Sequence, residues 1–92
     1  MQKFKVKYVP FPDEIKDECY GFTVQKQNLF LIAINSNRPP EQQRITLKHE
    51  LSHILLDHFN DPRPVEEIEE EAIVYGMTMK DEEFNRLMEW KI

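Results

Sequence analysis

Over residues 2–9, "QKFKVKYV", apolar and charged positions alternate, with Phe4, Val6 and Tyr8 on one side and Lys3, Lys5 and Lys7 on the other. A period of two marks a half-buried β-strand, and lysines along the polar side protect a sheet edge from pairing with another chain. "PFPDEIKDECYGF" breaks the alternation with two prolines and an acidic segment, and reads as a short helix followed by a turn at Gly21. Two β-rich runs follow, Phe22 to Val24 and Leu29 to Ile34, and the polar "QKQN" between them predicts a hairpin. Pro39 and Pro40 suit the first turn of a helix, where a missing N–H costs nothing. From Glu41 to about Phe59 no proline or glycine interrupts, and "NDPRP" stops the helix. Pro64 to about Met79 is helical in pattern, and "KDEEFNRLMEW" forms a last amphipathic helix with Phe84, Leu87 and Met88 on one side. Strands first and helices second predict an α+β fold, a small N-terminal antiparallel sheet packed on three C-terminal helices, in a single domain over residues 1–92.

Composition narrows the functions open to such a domain. A chain of 92 residues supports one modest core. Apolar residues at 40% and charged residues at 32% fit a soluble globular protein. The net charge of -5, with no long basic run, argues against direct nucleic-acid binding. No apolar run approaches the roughly 20 residues of a membrane span, and the amino terminus lacks the apolar core of a secretory signal. The lone Cys19 has no internal disulfide partner and no sign of thiolate activation, so a reduced, cytoplasmic setting is expected.

The chemistry concentrates in "RITLKHELSHILLDHF", residues 44 to 59, where His49, Glu50 and His53 spell H-E-x-x-H. On a helix, residues four apart project from one face, so both imidazoles can reach one tetrahedral metal. Glu50 lies about 100° further round, beside the metal rather than on it, where it can accept a proton from an attacking water. Ile45, Leu47, Leu51, Ile54 and Leu55 make the helix apolar enough to be buried, where two histidines and a glutamate need a partner such as a metal. His58, five residues after His53, points away from the pair unless the helix has already ended. A third ligand must then come from "VEEIEEEAIVYGM". Taking Val65, Ile68, Ala72, Tyr75, Gly76 and Met79 as its packed face leaves Glu66, Glu67 and Glu70 far from the centre and Glu69 and Glu71 on the two edges. Helical phase does not choose between those two. Asp57 is a candidate hydrogen-bond partner for a ligand imidazole, and Tyr75 a candidate oxyanion donor, although a surface position and a core position fit them better.

"RITLKHELSHILLDH" followed by "EEEAIVYGM" resembles the ImmA/IrrE family of zinc metallopeptidases, with Arg44, Thr46, Leu47, His49, Glu50, Leu51 and His53 matching its first block and Glu71, Ala72, Tyr75 and Gly76 its second. Gly21, Phe22 and "IAIN" ending at Asn35 resemble the strands that precede the block, so the likeness spans about residues 20 to 79. Ser52 stands where the family has glycine, and Ile73 where it has asparagine. The resemblance implies a minimal zincin-like domain of gluzincin type, with Zn2+ held by His49, His53 and Glu71 and with Glu50 as general base. It further implies intracellular cleavage of a protein substrate, a helix-turn-helix transcriptional repressor of a mobile element. The alternative is a non-catalytic, zinc-stabilised binding module, an antirepressor or adaptor.

Overall fold

The computed structural model describes residues 3–15 and 19–92. Its elements run β1 (Lys3–Val9), β2 (Gly21–Lys26), β3 (Leu29–Asn35), α1 (Pro40–Leu55), a single 3-10 turn (His58–Asn60), α2 (Val65–Thr78) and α3 (Asp81–Trp90). The α+β class and the order of strands before helices are as the sequence pattern predicts. Of the short helix expected before Gly21, residues 13–15 form a turn and residues 16–18 lie outside the described residues. Gly21 does not turn the chain; it is the first residue of β2. No helix among the described residues is long and apolar enough to cross a membrane.

The three strands lie in the order β1-β3-β2. β2 and β3 form the expected antiparallel hairpin, with Lys26 opposite Leu29 and Gln27, at φ 57°, opening the two-residue turn. β1, however, runs parallel to β3, so the sheet is mixed rather than antiparallel. The reason is where the first connection goes. Val9 at the end of β1 faces Asn35, and Gly21 at the start of β2 faces Ile34, so the chain leaves β1 and enters β2 at the same end of β3, on its two opposite sides. The fully buried Asn35 holds this crossing together. Its side-chain oxygen accepts from the Phe11 and Asn37 amides at 3.4 and 2.9 Å, and its amide nitrogen donates to the Cys19 carbonyl at 3.1 Å. One side chain thus satisfies backbone groups that precede β2 and that follow β3.

β1 is an edge strand with Lys3, Lys5 and Lys7 exposed, Phe4 buried and Val6 half-buried, as its alternation requires, whereas Tyr8, expected on the inner side, is 50% exposed. The central strand β3 sends Phe30, Ile32 and Ile34 into the core against Leu47, Leu51 and Ile54 of α1, spaced at i, i+4 and i+7. α3 closes the same core with Phe84 and Leu87. The start of α3 is registered on α1 by Asp81, which accepts from Arg44 at 2.7 Å and Lys48 at 3.2 Å. The Asp81 side chain is 73% exposed, so this contact sets position more than stability. Beyond α3, the Ile92 amide bonds to the Phe4 carbonyl at 2.9 Å.

β2 departs from this pattern. Phe22 and Val24 face outward, 46% and 45% exposed, while the inward positions opposite β3 are Gly21, Thr23 and Gln25. Gly21 lets this end of the strand lie against α1: a Cβ there would meet Thr46 Cγ2 at 2.7 Å and the Ala33 carbonyl at 2.9 Å. Gly21→Ala is therefore expected to destabilise the protein by about 1–3 kcal/mol through overpacking. Thr46→Ser, which removes the crowded methyl, should recover part of that loss in the double variant. Chemical denaturation of the four-member cycle checks the coupling, and strictly additive effects would contradict this contact.

Candidate metal centre

α1 carries its ligand candidates on the face turned towards α2 and β2. His49 and His53, one turn apart, set their rings edge to face with centroids 4.7 Å apart and Nε2 atoms 3.1 Å apart. Glu69 of α2 completes the group, with Oε2 3.0 Å from His49 Nε2 and Oε1 3.2 Å from His53 Nε2. Ligands bound tetrahedrally to zinc at about 2.0–2.1 Å stand about 3.3 Å from one another, close to the edges of this triangle. Two imidazoles and one carboxylate are also the donor set that suits zinc. Among the described residues, His49, His53 and Glu69 are the group able to converge on one ion.

The glutamate brought to the histidines is thus Glu69, whereas the resemblance assigns Glu71. The cause lies in how α2 meets α1. At Gly76 the helices come so close that a Cβ would lie 3.3 Å from the His49 Cα and backbone nitrogen. Glu69 precedes Gly76 by two turns and so lies on the same side of α2, while Glu71 is about 140° round the helix from it. The small, fully buried Ser52 completes this contact, its hydroxyl donating to the Lys48 carbonyl at 2.7 Å. The packed face of α2 is otherwise close to expectation, with Ala72, Gly76 and Met79 buried, but Val65 is 72% exposed at the mouth of the site.

Glu71 has other partners. Its Oε1 accepts from His58 Nε2 at 2.6 Å, and its two oxygens meet Arg63 Nη1 and Nη2 at 3.2 and 3.0 Å. Arg63 also grips Asp61, with Nη2 to Oδ2 at 2.6 Å. Hydrogen bonds from Arg63, then from His58, hold the Glu71 carboxyl down at about 2. The Asp61 carboxyl is likewise held at about 2, mainly by Arg63.

His58 reaches this position because α1 ends at Leu55, four residues before the expected stop. Asp57 turns the chain in the left-handed conformation, φ 55° and ψ 41°, which aspartate tolerates better than most residues. The chain then doubles back, and His58 Nδ1 lies 2.9 Å from His53 Nδ1. Asp57 itself is exposed and accepts from Asn60 Nδ2 at 2.8 Å. Tyr75 packs against the core and lines a different cleft, with Leu56, Arg63 and Glu71.

Glu50 stands beside the donor triangle, buried, and accepts a hydrogen bond from Thr23 Oγ1 at 2.6 Å. Burial pushes its carboxyl up; Thr23 and His49 act against that, and Glu69 adds to it. Burial likewise pushes the His53 imidazole down, with Glu69 opposing, and so favours the neutral form that a metal ligand must take. Two open clefts of about 350 and 320 Å³ flank the site and share Gly21, Glu50 and Glu69 in their walls. Thr23 has no place among the site residues that the sequence pattern offers, and His58 enters only on the condition that the helix ends before it, which α1 does at Leu55. The polar inward face of β2 was a signal for the first, and Asp57, able to end a helix without glycine, for the second.

No curated protein and no solved structure gives a significant match to the chain. The family model for the IrrE N-terminal-like domain matches residues 2–89, from the first strand through the last helix and across every residue of the site. The chain therefore belongs to the Peptidase_M78 family of IrrE N-terminal-like domains.

Proposed function

We propose that the protein is an intracellular zinc-dependent metallo-endopeptidase whose substrate is a helix-turn-helix transcriptional repressor of a mobile element. The observation that carries the hydrolytic part of this reading is the His49, His53 and Glu69 donor triangle with the buried carboxylate of Glu50 beside it. The substrate class and the compartment rest on the likeness to the ImmA/IrrE proteins.

His49 and His53 would hold the ion through Nε2, with Glu69 as the third ligand. A bound zinc ion supplies Lewis acidity, polarising a carbonyl and making a water acidic near neutral pH. Glu50 accepts the proton of the attacking water and passes it to the leaving amine. Its partial desolvation supports that role, because a carboxylate with a raised pKa is better matched to proton transfer near neutrality. Thr23 orients the carboxylate through its Oε1. The groove along Gly21, Phe22 and Thr23 offers an extended peptide a path over Glu50.

Glu50→Gln is expected to lower cleavage of a helix-turn-helix repressor substrate by about 10²–10⁴-fold while zinc binding persists. Unchanged cleavage in that variant would overturn the mechanism. Retained biological effect without any cleavage would favour the zinc-stabilised binding module instead. Glu69→Ala should weaken zinc binding, measured by competition with a chromophoric chelator, by more than the 10–100-fold typical of outer contacts. A larger loss in Glu71→Ala than in Glu69→Ala would return the third-ligand role to Glu71.

A further inference from the structure

We infer that Glu71 and His58 are positioning residues that fix the tautomer of His53, so that its Nε2 lone pair faces His49 and Glu69 before any metal arrives. The inference deepens the zinc-site reading above and rests on it for its purpose, although not for its geometry.

Protons along the chain Glu71, His58, His53 can be assigned from its outer end. The Glu71 carboxylate, paired through both oxygens with Arg63, has no proton to give, so His58 Nε2 must donate across the 2.6 Å contact. A neutral His58 then has a bare Nδ1, and the 2.9 Å contact between the two Nδ1 atoms needs one proton, which His53 must supply. A neutral His53 with its proton on Nδ1 has a bare Nε2, the atom 3.1 Å from His49 Nε2 and 3.2 Å from Glu69 Oε1. Every donor in the series points away from the metal position, and the alternating polarity strengthens each bond. Nor does this direction simply follow the intrinsic tendency of imidazole, since a free neutral histidine prefers its proton on Nε2. The His58 side chain is only 2% exposed, so water does not compete for either of its nitrogens. Arg63 is the anchor: it is tied to Asp61 on one side and to Glu71 on the other, and it holds the terminal carboxylate in place.

The first measurement is the nitrogen-proton correlation spectrum of the histidine rings in the metal-free protein, above the ordinary histidine titration range. His53 is expected as the Nδ1–H tautomer and His58 as the Nε2–H tautomer; His53 with its proton on Nε2 overturns the inference. This readout needs no zinc and no activity, so it separates failure of the relay from failure of the metal site, which is tested by zinc stoichiometry in the parent protein and its loss in His49→Ala. Glu71→Leu should move the His53 proton towards Nε2 and weaken zinc binding about 10–100-fold, the range for contacts that orient a ligand. Glu71→Gln, whose amide oxygen still accepts from His58, should recover most of both effects. Zinc affinity within twofold of the parent in Glu71→Leu, or complete loss of zinc in Glu71→Gln, overturns the relay, the latter by making Glu71 itself a ligand.

Discussion

The close approach of α2 to α1 at Gly76 governs the site. A backbone contact there, without an intervening side chain, fixes the rotation of α2 about its own axis, and that rotation decides which acidic residue meets the histidines. Ser52 on the opposing helix keeps the contact tight from the other side. Within the run of glutamates in α2, identity is therefore assigned by geometry: Glu69 turns inward to the imidazoles, Glu71 turns to His58 and Arg63, and the remainder lie in solvent. Chemically equivalent residues acquire different roles through a difference in helical angle alone.

The histidine pair is held from two directions that do not depend on each other. On one side stands the carboxylate of Glu69, half exposed and close to both Nε2 atoms. On the other stands a buried imidazole, His58, supported by Glu71 and the Arg63 and Asp61 pair from the segment between α1 and α2. A short connection that would otherwise only join two helices thus becomes part of the support of the site. Glu50 is held by neither; its partner is Thr23 of β2. The sheet reaches the site through this one strand, whose inner face lacks the apolar pattern that β3 keeps.

What could be read from the sequence follows from the range over which each feature is determined. The alternation around Phe4 and the run through Ile32 and Ile34 are local, and the strands appear where they predict. The four-residue spacing of His49 and His53 is likewise local, because a helix fixes it without help from the rest of the chain. Arg44 and Thr46 of the same block acquire physical tasks in the structure, one tying α3 through Asp81 and the other meeting β2 at Gly21. The direction of β1 against β3 depends on a loop crossing held by Asn35, which no periodicity records. The choice of Glu69 over Glu71 depends on how two helices meet. The place of His58 depends on one left-handed residue, Asp57, in a stretch with neither glycine nor proline to mark the break.

The bond from Ile92 to Phe4 brings both ends of the described chain to the β1 edge of the sheet. β2, with Thr23 bonded to the Glu50 carboxylate, is at the opposite edge, two strand spacings or about 10 Å away across β3. The Ile92–Phe4 bond and the groove therefore lie at opposite edges of the sheet, with the central strand between them.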